Sequence, residues 1–429
     1  MTLLVTGGRV LRPDMSVERA DVRVGEDGRI DAVGDLADRN ADRTLDASGS
    51  LVVPGLVNAH GHAAMTLLRG YADDKPLDAW LQEDIWPVEG VLEPADVAAG
   101  ARLAAVEMIR SGTTTFADMY FHVGEVADAV ADAGLRARIG HGVVTLGKDA
   151  EAARDDFETS LAVAREYDGA GDGRITTAVM PHAPHTVGTE FLETFVPRAR
   201  EAGVPLHFHF NETPTYAEEI AAEAAVRPGA YADDLGLLAD DTWVAHGVHV
   251  TDDEIDLLAE RGTAVVHCPA SNMKLASGMA PVQRLRDAGV TVALGTDGAA
   301  SNNDLDLFDE MRDAAMLGKL AADDASAVPA EAAVEMATQG GADALGLPVG
   351  RIEAGAPADL AVVDLSGPHL TPEHDPVSHL AYAARGSDVR HTVCDGRVLM
   401  RDRELLTLDV DAVKREAERR ARAAVERAA

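Results

Sequence analysis

Over roughly 290 residues this chain repeats one pattern, a short apolar strand followed by a helix, and that alternation leaves few ways to fold. Candidate strands end at Asn58–His62, Phe116–Met119, Gly140–Val144, Ala178–His182, His207–Phe210, Val244–His246, Val265–Cys268 and Ala293–Asp297. The segments between them carry helix ends. Thr251-Asp252-Asp253-Glu254 reads as a capping box opening a helix that Gly262 closes, and Gly134, Gly203 and Gly289 each follow a helix-like run and precede a strand. Eight such units predict an α/β fold, a (β/α)8 TIM-like barrel over residues 53–349, with a doubly wound open sheet as the alternative. The barrel is preferred because the candidate chemical residues, histidines and an aspartate, fall at strand C-terminal ends. Both chain ends read differently. LLVTGGRVL, VRVGEDGRIDAVG and RTLDASGSLVV at the start, and GRIEAGAPADLAVVDL and VRHTVCDGRVLMRDREL near the finish, have hairpin composition with Gly-Gly and Asp-Gly turns. Residues 1–52 and 350–429 are therefore expected to form one small β-domain, a β-sandwich, closed by a charged helix from about Val410.

The charge balance excludes some partners. There are 73 acidic residues against 38 basic, a formal net charge of -35, and the acids are scattered. Such a surface repels nucleic-acid phosphates and anionic lipid headgroups, so neither partner is expected. Only five of the cations are lysine (Lys75, Lys148, Lys274, Lys319, Lys414). Self-repulsion of this size suits a salty cytoplasm, where counterions screen it within a few ångströms. The two cysteines, Cys268 and Cys394, lie far apart and fit a reducing cytosol. The opening MTLLVTGGRVLRPDM lacks the layout of a signal peptide, and no run approaches 18 uninterrupted apolar residues, so a cytoplasmic protein without a membrane span is expected.

His60-Gly61-His62 comes directly after the apolar strand LVVPGLVNA, and residues two apart on a strand face the same side, so both imidazoles can share one metal. Two polar loop residues are the bland alternative. His209 ends GVPLHFHF, with Glu212 three residues on; together they offer a ligand and a proton carrier, against a hydrogen-bonded core histidine. His207, on the same strand face, is assigned that core role one layer deeper. His246 ends TWVAH, and Asp297 ends VTVALGTD, where a helix N-cap is the alternative. Taken singly, each has an ordinary explanation. Taken in chain order, His-x-His, His, His and Asp at successive strand ends make coincidence a poor one.

PGLVNAHGH, HFHFNET, WVAHGVH, HCPASNMKLASG and LGTDGAASNNDLDLFDEMR resemble the signature blocks of the amidohydrolase superfamily, and more narrowly its branch of methylthioadenosine, S-adenosylhomocysteine and 5′-deoxyadenosine deaminases. The resemblance covers nearly the whole chain. It implies that His60, His62, His209 and Asp297 are metal ligands, Glu212 the proton shuttle and His246 the group that polarises the attacked centre. It further implies that Glu89 holds the ribose hydroxyls, that His182 contacts substrate, and that the enzyme is a homo-oligomer. Trp86 is a candidate wall for the base pocket, and His267 a candidate floor, each against a packing role. Ser271-Asn272 and Ser301-Asn302 are expected to shape loops. Gly61 and Gly247 stand where relatives often carry Thr or Ser and Cys, and neither supplies a ligand. Of the arginines that grip a homocysteine tail in some relatives, only Arg136, Arg138 and Arg154 are candidates here.

The fourth strand, RITTAVMPHAP, has no lysine to bridge two ions, so a single divalent ion is expected, zinc with iron as the alternative. The implied reaction is hydrolytic removal of the amine from an adenine nucleoside, with Asp297 taking a proton from water, Glu212 protonating the ring nitrogen and His246 stabilising the tetrahedral centre. Two alternatives remain: a deaminase or hydrolase of a free base or s-triazine such as cytosine, guanine or a chlorotriazine, and a non-catalytic barrel scaffold. Glu89 and His182 favour a nucleoside, since a free base has no ribose to hold.

Overall fold

A computed structural model describes residues 1–36 and 40–429. Each expected strand of the central repeat is present: β1 (Leu56–Asn58), β2 (Thr113–Tyr120), β3 (Arg136–Val143), β4 (Ile175–Thr177), β5 (Leu206–Phe210), β6 (Thr242–His246), β7 (Ala264–His267) and β8 (Val292–Leu294). All their described pairings are parallel, β1–β2–β3–β4 in one sheet and β5–β6–β7–β8 in another. Parallel strands covered by helices are apolar on both faces, and β5 is buried on both: Phe208 and Phe210 on one face, His207 and His209 on the other.

The two sheets meet at seams carried by few bonds. At one, Val179 bridges Leu206 in parallel, and the His207 N–H donates to the Val179 carbonyl at 3.1 Å. At the other, the Ala59 N–H donates to the Leu294 carbonyl at 2.9 Å, and Asp297–Gly298 pairs with Gly61–His62 as a separate two-stranded ribbon. The sequence predicts a continuous closed ladder; the ladders here are interrupted at both places. The second seam is where the chain leaves its strands to carry His60, His62 and Asp297 inward. Gly295 lies in it, and a Cβ there would stand 2.9 Å from the His60 Cβ, so the close approach needs glycine.

The helix ends agree with the sequence. Thr251 and Glu254 form the capping box, and Gly262 and Gly134 close their helices in the left-handed conformation. The chain ends form two sheets, one from the first end alone and one from both. One contains Leu3–Thr6, Asp21–Val24, Ile30–Gly34 and Arg43–Asp46. The larger joins the two termini directly, because Ser50–Pro54 pairs antiparallel with Leu360–Asp364. Val5, Val22, Ile30, Val52, Leu360 and Val362 belong to one buried cluster contributed by both sheets. Arg136 ties this region to β3, its Nε donating to Asp359 at 2.9 Å. The terminal helix, Val410–Ala428, packs on the helix Pro94–Arg110, where Arg420 and Arg427 reach the buried Asp96. Among the described residues no helix is long and apolar enough to cross a membrane.

Candidate metal centre and its cleft

Strand periodicity builds the centre. His60 and His62 leave the end of β1 two residues apart, His209 is the inward residue near the end of β5, and Asp297 lies beyond β8. One ligand atom from each of these four buried residues can be chosen so that all lie within 4.8 Å of one another. His60 Nε2 and His62 Nε2 each stand 3.2 Å from Asp297 Oδ1. Yet the buried His60 Nε2 has no aligned hydrogen-bond partner among the described residues. Nitrogens and oxygen that approach without hydrogen-bond alignment are aimed at a shared point. A buried polar atom left this way is costly, and a divalent cation accepting nitrogen and carboxylate oxygen fits the set.

Each of the three rings is fixed from behind. His60 Nδ1 lies 2.7 Å from His207 Nε2, whose Nδ1 in turn donates to the Trp243 carbonyl at 2.8 Å. With that proton on Nδ1, His207 Nε2 is an acceptor, so His60 carries its proton on Nδ1 and its lone pair on Nε2. His62 Nδ1 donates to the Met119 carbonyl and His209 Nδ1 to the His182 carbonyl, both at 2.7 Å. Such outer bonds select the tautomer a metal requires. Asp297 Oδ2 accepts from Ser271 Oγ at 2.7 Å and Ser301 Oγ at 2.8 Å, which leaves Oδ1 for the centre.

Burial pushes His60 down to about 4 and holds His209 well below the ordinary histidine value, so both are neutral donors. Burial opposes charge on Asp297 too, but its carboxyl is held well below the usual range, with His62 the cationic imidazole facing it. His62 is the counterpart: burial would lower it, and Asp297 draws it up to about 9. The carboxylate requires a positive partner, a demand a bound cation would meet.

Beside the centre, Glu212 Oε2 lies 3.7 Å from His246 Nε2, and burial raises the Glu212 carboxyl above its ordinary value. His246 Nδ1 donates to Asn272 Oδ1 at 3.0 Å, leaving Nε2 buried with no hydrogen-bond partner among the described residues. His246 and Asp297 both have left-handed backbone, with φ of 75° and 57°. Histidine and aspartate tolerate this conformation better than most residues, and such strain gathers at working sites.

The centre opens into a cleft that Glu89, Trp86, His182, Glu212, His246 and Asp297 all line. One Glu89 oxygen accepts from the Tyr120 hydroxyl at 2.6 Å. His182 Nδ1 lies 2.9 Å from Thr186 Oγ1, whose own proton goes to the Ala183 carbonyl. The His182 proton is therefore on Nδ1, and burial pushes this ring down to about 3. Of the three candidate tail-binding arginines, Arg136 is paired with Asp359 and Asp395, and Arg138 lies over the Trp243 ring. Arg154 is exposed on the helix Ala150–Glu166, and none of the three lines the described cleft. His267 is buried and its ring nitrogens have no hydrogen-bond partner among the described residues, but it does not line the cleft.

Sequence reasoning missed the work of three loop residues. Ser271, Asn272 and Ser301 were expected only to shape loops, yet they hold Asp297 and His246. Their one signal is position, since the loops after β7 and β8 rim the same end of the sheet as the histidines.

Three imidazoles and a carboxylate at the C-terminal ends of parallel strands define a class, the hydrolases that work around a cation held by strand-end ligands. Residues 51–399 match the Amidohydrolase family, and the chain belongs to it. It is 67% identical over 421 residues to a 5-methylthioadenosine/S-adenosylhomocysteine deaminase of Halobacterium salinarum, covering 98% of this chain and 97% of that one. It is 46% identical over 417 residues to a 5′-deoxyadenosine deaminase of Methanosarcina mazei, covering 96% of each. The crystal structure of an adenosine deaminase from Xanthomonas campestris with bound zinc matches with a TM-score of 0.95 and 40% identity, over 99% of this chain and 98% of that one.

Proposed function

We propose that the chain is a hydrolase that deaminates an adenine nucleoside, namely 5′-deoxyadenosine, 5′-methylthioadenosine, S-adenosylhomocysteine or adenosine, to the inosine analogue and ammonia. The observation that carries this reading is the convergence of His60, His62, His209 and Asp297 on one point, with Glu212 and His246 beside it in a single cleft. The names of the relatives support the same reaction.

The four ligands would hold one ion, zinc being the first choice with iron the alternative, which supplies Lewis-acid activation of water and substrate. The remaining work falls to side chains of this chain. Asp297, held through Oδ2, turns Oδ1 to the centre and takes the proton that water loses as its oxygen bonds the amine-bearing carbon. It passes that proton to the amine, whose C–N bond then breaks to release ammonia. Glu212, whose carboxyl burial raises, carries a proton to the ring nitrogen beside the attacked carbon. His246, with a proton on each ring nitrogen, donates Nε2–H to the oxygen of the tetrahedral centre and steadies its developing charge. The Glu89 oxygen not used by Tyr120 accepts from the ribose hydroxyls, the His182 Nε2 lone pair accepts from substrate, and Trp86 walls the base. These roles sit on a (β/α)8 barrel over residues 53–349, with residues 1–52 and 350–429 as a small β-sandwich domain and its terminal helix.

A free base offers nothing to Glu89, which separates the nucleoside reading from that of a cytosine, guanine or triazine hydrolase. Ammonia release measured in high salt with the four nucleosides, cytosine and guanine tests it. Turnover is expected with at least one nucleoside and not with the bases; turnover of a base alone would refute the assignment.

A further inference from the structure

Glu310 lies outside the cleft, on the helix Leu307–Ala322, and is fully buried. Burial raises this carboxyl group well above its ordinary value; a polar group so placed must be engaged, and its two oxygens go to two different loops. Oε2 accepts from the Ala270 N–H at 3.3 Å, and Oε1 accepts from Asn302 Nδ2. The same Asn302 nitrogen also donates to the Thr296 carbonyl at 2.8 Å, so both of its protons are used.

The chain neighbours of Ala270 and Asn302 give these bonds their meaning. Ser271, next to Ala270, and Ser301, next to Asn302, both donate to Asp297 Oδ2. Asn272, one residue further, accepts from His246 Nδ1. The segment Pro269–Lys274 therefore orients two groups of the reaction at once, and Ala270 stands in its first turn, where backbone N–H groups lack partners within the helix. One buried carboxyl group ties the loop after β7 to the loop after β8.

We propose that Glu310 is a positioning residue for the reaction, clamping the two loops so that Ser271 and Ser301 aim Asp297 and Asn272 aims His246. The proposal rests on the deaminase reading of the site. It asks of Glu310 no contact with substrate or ion. Loss of the clamp frees the two serines to rotate, and the Asp297 carboxylate with them.

The test compares Glu310→Ala, Glu310→Gln and the double variant Ser271→Ala/Ser301→Ala with the parent, as full-length protein loaded with cobalt in high salt. Hydrogen bonds that fix a buried network are worth enough that kcat should fall about 10- to 100-fold in Glu310→Ala and in the serine pair. KM should change less than about two-fold, because substrate contacts are untouched. The visible spectrum of the cobalt protein should shift in both, reporting a changed Asp297 ligand without reference to turnover. Glu310→Gln keeps one of the two acceptors and should recover part of the loss. A folded Glu310→Ala protein with parental kcat and spectrum would overturn the proposal. Should that variant fail to fold, parental kcat and spectrum in the serine pair would overturn it equally. Absence of ammonia release by the parent would instead remove the deaminase reading itself.

Discussion

Replacing Glu212 by glutamine is expected to leave the ion in place and lower kcat by about 10²-fold or more, the usual scale for a positioned acid–base group. The side chain keeps its size and one hydrogen-bonding oxygen, so the cleft keeps its shape. What is lost is the transferable proton. Burial raises the Glu212 carboxyl, which favours the protonated form that the proposed step requires, and a carboxamide cannot take that part. Metal content by elemental analysis and steady-state kinetics in high salt check this together. A Glu212→Gln enzyme with parental kcat would remove this residue from the mechanism.

His62→Ala should act one step earlier, losing ion and activity together. His62 offers Nε2 to the centre, and its Nδ1–H to the Met119 carbonyl fixes the ring. Loss of an outer partner alone costs about 10- to 100-fold in metal affinity, so loss of the ligand itself should cost more. Activity should return in part when zinc is raised well above the parent's requirement, because His60, His209 and Asp297 remain. Two features separate this result from that of Glu212→Gln: the missing ion and the rescue by added metal. A His62→Ala protein that held a full equivalent of zinc would exclude this imidazole from the site.

Much of this centre was legible in the chain because strand geometry is periodic. His60 and His62 had to share a face, and His207 and His209 likewise, with the latter nearer the strand end. Reading His207 as a hydrogen-bonded core residue found its place but not its use, which is to orient His60 through a 2.7 Å bond. The bonds around Asp297 were not legible. Ser271 and Asp297 are 26 positions apart, and no local rule says that the loops after β7 and β8 will lean together. The buried Glu310 was equally silent, since its helix reads as an ordinary amphipathic one. The seams between sheets also escaped notice. Periodicity predicts where strands lie, whereas the close approach of Gly295 to His60, where a Cβ would stand 2.9 Å from the His60 Cβ, is made only by the folded chain.

The measurement closest to the centre of this account is a zinc titration of chelator-stripped protein in high salt, with ammonia release from an adenine nucleoside followed at each point. One ion per chain is expected, and activity should rise in proportion to occupancy and stop at one equivalent. Full activity without metal, or uptake well below one ion per chain, would contradict it.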